Sequence, residues 1–275
     1  MASIEPQGRT PFDIAVVGLG VTGVHQLTRE AEATLRRCHQ VLLVDPSYGV
    51  EDHLRSLGPE VTSLLSLYEA GKSRLTTYRR MAAATVAAAL EEPPVAFATY
   101  GHPWLFCYPT TLIRRAASLL GLHVEVLAGV SSIDTLMVDL GYDFSTDGLQ
   151  MYDATDLLLR RRPLQDDVAC VLLQITSLAD PTFRPGPAPT EHFQTLQDYL
   201  LEYYPPKHLV LSVFSRTHPA LRSVVRVHRL EELADALADN SQSGTLFIPP
   251  VRRRPVVDED MLELIIAGYE ATSSE

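Results

Sequence analysis

Ile14-Ala15-Val16-Val17-Gly18-Leu19-Gly20-Val21-Thr22-Gly23 is a β-branched apolar run that breaks into three glycines within six residues. The run reads as a buried strand, and the glycines as a loop that carries the chain away from its carboxyl end. Thr28 is placed as the N-cap of a helix through Ala31 to Arg37. A second apolar run, Val41 to Val44, stops at Asp45-Pro46, and residues 51–67 and 74–90 carry helical spacing. Val95 to Ala98 is a further strand ending at Tyr100-Gly101-His102-Pro103. A helix over Thr110 to Leu120, a strand over His123 to Leu127 and a small-residue turn at Gly129-Val130-Ser131-Ser132 follow. Strand and helix alternate with short connections, which predicts an α/β fold with a largely parallel sheet covered on both faces.

At roughly 150 residues per domain, 275 residues suggest about two domains. The expected division is an N-terminal α/β domain over 1–130, a C-terminal α/β domain over 131–250 and a tail over 251–275. In the second domain strands are expected at Ala169 to Ile175, Leu209 to Phe214, Ser223 to Val227 and Thr245 to Ile248, with helices over Glu191 to Tyr203 and Leu230 to Ala238. Pro181, Pro185, Pro187 and Pro189 mark Ala179 to Thr190 as a loop. Low complexity is confined to this loop and the Ser273-Ser274 tail.

Against 34 acidic residues stand 23 basic ones, a net charge of −11 that repels a phosphate backbone, so no nucleic-acid partner is expected. Two basic clusters, Arg160 to Arg162 and Arg252 to Arg254, read as solvated helix ends or loops in preference to polyanion sites. Cys38, Cys107 and Cys170 are odd in number and far apart, which fits a reducing cytoplasm and offers no metal-ligand spacing. Glu5, Pro6 and Asp13 interrupt any apolar signal core, and no stretch approaches the roughly 20 apolar residues of a membrane span.

Gly18-x-Gly20-x-x-Gly23, with Asp45 at the end of the next strand, imitates a dinucleotide fingerprint. In that fingerprint a helix N-terminus faces the pyrophosphate, whereas here Val24-His25-Gln26-Leu27 intervene before the Thr28 cap. A dinucleotide site therefore ranks last. Two readings of the glycines stay open: a tight turn, or close approach of main chain to another small ligand.

Val17-Gly18-Leu19-Gly20 with Leu27-Thr28, Tyr100-Gly101-His102-Pro103-Trp104-Leu105-Phe106, and Gly129-Val130-Ser131-Ser132 leading to Leu140-Gly141 together resemble the tetrapyrrole methylases. Within that superfamily Tyr68 to Met81, Gln150-Met151-Tyr152-Asp153-Ala154-Thr155, Leu173-Gln174-Ile175 and Thr245 to Pro250 resemble the borosin peptide-backbone N-methyltransferases. The resemblance implies S-adenosylmethionine in a cleft between two α/β domains, a homodimer and no metal. It implies Gly18 and Gly20 as close-approach backbone, with His102, Leu105 and Phe106 around the methionine portion. Ser131, Ser132, Gln174, Thr245 and Phe247 would surround ribose and adenine, and Tyr100 would orient the amide or the sulfonium.

For the chemistry the resemblance points to Tyr68, Arg74, Tyr78 and Tyr100. A peptide nitrogen is a poor nucleophile because its lone pair is delocalised, so methylation passes through an imidate-like state. Tyr78 is then the expected base, its phenol lowered toward neutrality by Arg74 one helical turn earlier, and Tyr68 a donor to the developing oxyanion. Two departures stand out: Leu65 replaces a second tyrosine, and the chain ends 25 residues after Pro250. The second departure implies a precursor peptide modified in trans. The competing functions are carbon methylation of a porphyrinoid and binding of S-adenosylmethionine without turnover.

Overall fold

The computed structural model describes residues 12–186, 188–238 and 244–272. Glu5, Pro6, Pro187 and the Ser273-Ser274 tail lie outside them. Ten strands form two five-stranded sheets among the described residues. The first holds β1 (Ile14–Gly18), β2 (Gln40–Val44), β3 (Glu60–Ser63), β4 (Val95–Thr99) and β5 (Val124–Leu127) in the order β3-β2-β4-β1-β5. Every pairing in it is parallel.

Both faces of this sheet are covered at its centre, which is why β1 and β4 are buried along their whole length without alternation, while the edge strands β3 and β5 carry Glu60 and Glu125. Ala15, Val17, Val41 and Leu43 point to one side, against Ala31 and Leu35 of α1 (Arg29–Leu35) and Val50 and Leu54 of α2 (Val50–Ser56). Ile14, Val16, Leu42 and Phe97 point to the other, against Met81 and Val86 of α3 (Arg74–Glu91) and Ile113 and Ala117 of α4 (Tyr108–Leu119). Thr28 caps α1 as its sequence demands, its hydroxyl accepting from Ala31 N at 3.0 Å. Thr28→Ala should cost about 1 kcal/mol and lower Tm by roughly 2–4 °C, measured by thermal unfolding.

The second sheet has the order β6-β7-β10-β8-β9, from β6 (Leu149–Asp153), β7 (Ala169–Leu173), β8 (Leu209–Phe214), β9 (Val224–Arg229) and β10 (Thr245–Ile248). Only β6 and β7 run parallel in it. Its outer face packs on α6 (Ala154–Arg160), α7 (Thr190–Leu201) and α8 (Leu233–Ala238) through Leu157, Phe193, Leu196 and Leu237. Its inner face meets α5 (Ser132–Leu140) and Leu105, a residue of the first unit. α9 (Glu259–Thr272) closes the described chain, with Met261, Leu264, Ile265 and Ile266 exposed. No described helix is long and apolar enough to cross a membrane.

Several elements differ from their sequence reading. The helix expected over 51–67 is α2, then β3, then a short 3-10 turn over Leu65–Leu67, because Gly58-Pro59 stops the helix and Val61 and Thr62 favour a strand. The strand expected to reach Ile175 ends at Leu173, where Gln174 turns left-handed. β6, α5, α6 and α9 were not foreseen. Most arginines of the basic clusters pair with acidic neighbours: Arg160 and Arg162 share Asp156, Arg161 binds Glu202, Arg252 binds Asp166 and Arg254 binds Asp167.

Candidate active site

The carboxyl ends of β1, β4 and β5 meet at three glycines. A Cβ on Gly18 would lie 2.6 Å from Gly101 O and 2.8 Å from Pro103 Cδ, and one on Gly129 would lie 2.8 Å from both Gly101 O and Gly18 O. The glycine loop closes on itself as well. Gln26 Oε1 accepts from Val21 N at 2.6 Å and Thr22 N at 2.9 Å, and a Cβ on Gly20 would sit 2.4 Å from Gln26 Cβ. The chain's own packing thus already requires glycine at 18 and 20. Neither main-chain N–H of Val21 or Thr22 is left for a pyrophosphate, and α1 begins only at Arg29.

Arg74, Tyr78 and Phe106 of the first unit face Asp153, Thr155, Gln174, Ser177 and Asp180 of the second across a cleft of ≈ 250 Å³. Phe106 and Gln174 both hold left-handed backbone, with φ of 55° and 62°. Such conformations in non-glycine residues are costly and concentrate at functional sites. Phe106, in the lining, remains 43% exposed, and Tyr100 is 38% exposed.

α3 starts at Arg74 and carries Tyr78 one turn on, while Tyr68 arrives from the preceding loop. The Tyr68 and Tyr78 rings stand edge to face, with centroids 6.4 Å apart. Tyr108 approaches Tyr78 from the start of α4 at 6.5 Å. Burial is the largest influence on both phenols of the Tyr68–Tyr78 pair and pushes both up. Arg74 pulls each back, and Tyr68, on the donor side of the pair, favours a Tyr78 phenolate while keeping its own proton. Arg74 therefore acts in the expected direction without winning: Tyr78 stays above the ordinary phenol value, not lowered toward neutrality.

Tyr100 is pushed up to about 12 by burial and by the nearby Asp45 carboxylate. Asp45 is only 4% exposed; one oxygen accepts from Ser47 N at 2.7 Å, and Oδ2 has no hydrogen-bond partner. His102 Nδ1 accepts from Trp104 N at 3.1 Å, and Leu105 packs against the inner face of the second sheet. Ser131 is spent on a capping box with Asp134 at the start of α5, which ties its hydroxyl within the helix end. Ser132 follows it, half-buried. Thr245 opens β10, half-buried.

Phe247 lies in the core, 3% exposed, against Tyr142 at 4.9 Å, because its alternation on β10 turns it to the packed inner face. It supports the second unit from within and does not line the cleft. Asp153, Thr155, Ser177 and Asp180 were missed as site residues. The one signal for the first two was the Gln150 to Thr155 stretch, in which Asp153 caps α6 by accepting from Thr155 N and Asp156 N.

A family model of Tetrapyrrole (Corrin/Porphyrin) Methylases matches residues 13–180, which include both halves of the cleft lining. The chain belongs to that family. Among similar curated proteins are borosin methyltransferase/precursor proteins. One described as a type III borosin cyclic peptide precursor from Anomoporia bombycina is 29% identical over 96% of this chain and 31% of its own length. A type I counterpart from Coprinopsis marcescibilis is 32% identical over 86% and 62%. The omphalotin A precursor of Omphalotus olearius is 28% identical over 93% and 62%. This chain thus spans less than two thirds of the length of these relatives. A solved uroporphyrin-III C-methyltransferase from Thermus thermophilus superposes with TM-score 0.59 at 23% identity, covering 86% of this chain and 91% of that one. The same kind of enzyme complexed with S-adenosyl homocysteine gives 0.58 at 19%, over 86% and 96%. These two show the fold.

Proposed function

We propose that this chain is an S-adenosylmethionine-dependent methyltransferase acting on backbone amide nitrogens of a ribosomally made precursor peptide, supplied as a separate chain. The observation that carries the reading is Arg74 and Tyr78 in the lining of the cleft between the two units, with Tyr68 edge to face on Tyr78 behind them. The residues present suit the cofactor: part-exposed aromatic rings at Tyr100 and Phe106 attract a sulfonium, and Asp45 holds an unpartnered buried oxygen behind Tyr100. His102, Leu105 and Phe106 would hold its methionine portion, and Gln174, Ser132 and Thr245 its ribose and adenine. When bound, S-adenosylmethionine supplies an electrophilic methyl group.

The chain's residues would do the rest. Tyr78, as phenolate, takes the amide proton; Arg74 offsets the charge that this leaves; Tyr68 turns its single proton toward the imidate oxygen as that oxygen becomes negative. Asp153 and Asp180 stand against the one cation Arg74 in the lining, a poor match for a porphyrinoid bearing many carboxylates. The borosin names of the relatives favour a peptide. A homodimer is part of the same reading, and the exposed apolar residues of α9 offer a surface for it to cover.

Incubation of the purified chain with S-adenosylmethionine and the peptide encoded beside its gene should add methyl masses, which fragmentation places on backbone nitrogen. Methyl groups on side chains or carboxylates would sink the reading. So would an unmodified peptide alongside an absorbance change with porphyrinoid precursors.

A further inference from the structure

The proline-rich loop expected between Ala179 and Thr190 is fastened to the other unit. Gly71 N donates to Phe183 O at 2.8 Å, Phe183 N to Lys72 O at 2.8 Å, and Arg74 N to Pro181 O at 3.0 Å. Ser73 and Thr182 pair as an antiparallel bridge between these bonds. The turn feeding this strap is stiffened by Asp180, whose Oδ1 accepts from Thr182 N at 2.8 Å and from Thr182 Oγ1 at 2.7 Å. The strap meets the first unit at the residues that lead directly into α3.

Its alternation aims Phe183 at Tyr68. The two ring centroids are 5.0 Å apart with planes inclined by 43°, while the Tyr78 ring stands at 85° to Tyr68. Tyr68 therefore touches a ring from its own unit and a ring from the other. A half-buried tyrosine with a wall on one side only would regain rotamer freedom, and its hydroxyl would lose its fixed direction.

We infer that Phe183 is a positioning residue: delivered across the domain seam by main-chain pairing, it fixes the Tyr68 side chain in register with Tyr78. The inference rests on the reading of Tyr68 and Tyr78 as the proton-handling pair. It also means that one strap sets both the closure of the cleft and the geometry of that pair, because any opening of the seam carries Phe183 away from Tyr68.

Phe183→Ala should lower kcat on the peptide encoded beside the gene by about ten- to a hundredfold. KM and the Kd for S-adenosylmethionine should stay within about twofold, and Phe183→Leu should recover part of the loss. In a Tyr68→Phe background the same substitution should have no further effect, since coupled residues are non-additive. A second readout uses the full chain labelled with 3-fluorotyrosine and no ligand: Phe183→Ala should move the fluorine titration midpoint of Tyr78, and not when Tyr68→Phe is already present. Equal losses in both backgrounds, a weakened cofactor Kd that tracks kcat, or an unmoved midpoint would overturn the inference. A failure of the underlying reading is visible separately, as a Tyr68→Phe variant with undiminished turnover while Phe183 is untouched.

Discussion

Tyr78→Phe should lower kcat by about a thousandfold, within the range attributed to a positioned general base, and leave the Kd for S-adenosylmethionine unchanged. The substitution removes one oxygen and keeps the ring that packs edge to face on Tyr68 and near Tyr108, so the fold has no reason to respond. The pH profile carries the stronger test. A base works deprotonated, and Tyr78 is held above the ordinary phenol value by burial. The rate should therefore rise with pH from neutrality into the alkaline range, about tenfold per unit while the phenol remains mostly protonated. Removing the guanidinium with Arg74→Leu takes away the chief influence lowering this phenol, so the rising limb should move to higher pH and the rate at pH 7 should fall. In Tyr78→Phe the limb should vanish. A limb that survives in that variant would assign the titration to another group and remove Tyr78 from the chemistry.

The same residues show what a sequence can and cannot disclose. The four-residue spacing of Arg74 and Tyr78 put them on one helical face, and α3 begins where the sequence placed it, but the spacing alone reads as an ordinary exposed pair; only the resemblance singled them out. Four strands of the first sheet were legible because strands covered on both faces are rich in apolar residues, whereas the edge strand β3, Glu60–Ser63, reads as helix. What the sequence hid was the balance of opposing influences. A guanidinium beside a phenol reads as a lowered pKa, yet burial outweighs it, and part of the packing around this phenol comes from Tyr108, thirty residues on in the chain. Phe183 was hidden inside a proline-rich stretch that local rules assign to a loop, and its pairing with residues 71–74 depends on how two units meet. Ser131 and Phe247 also meet local demands that the motif does not disclose, a helix cap and a packed sheet face.

The glycines yield the second large effect. Gly18→Ala should destabilise the protein by about 3 kcal/mol, a fall in Tm of roughly 6–12 °C, and weaken S-adenosylmethionine binding at the same time. The cause is packing, not backbone conformation. A Cβ there meets Gly101 O at 2.6 Å, Pro103 Cδ at 2.8 Å and Gly129 Cα at 3.1 Å, and none of these is the far end of a flexible side chain. Relief requires moving the 101–103 loop, which carries His102, or the 129–131 loop, which leads into α5. Gly121 supplies the control, because it has a left-handed φ of 70° and open space where a Cβ would go. Gly121→Ala should therefore cost only the conformational strain of about 1–2 kcal/mol and leave cofactor affinity alone. If conformation rather than close packing governed the glycine loop, the order would reverse, with Gly121→Ala the more damaging change. Thermal unfolding of the two variants, with calorimetric titration of S-adenosylmethionine into each, decides between the two orders and tests whether the three-glycine contact holds the walls of the cleft in place.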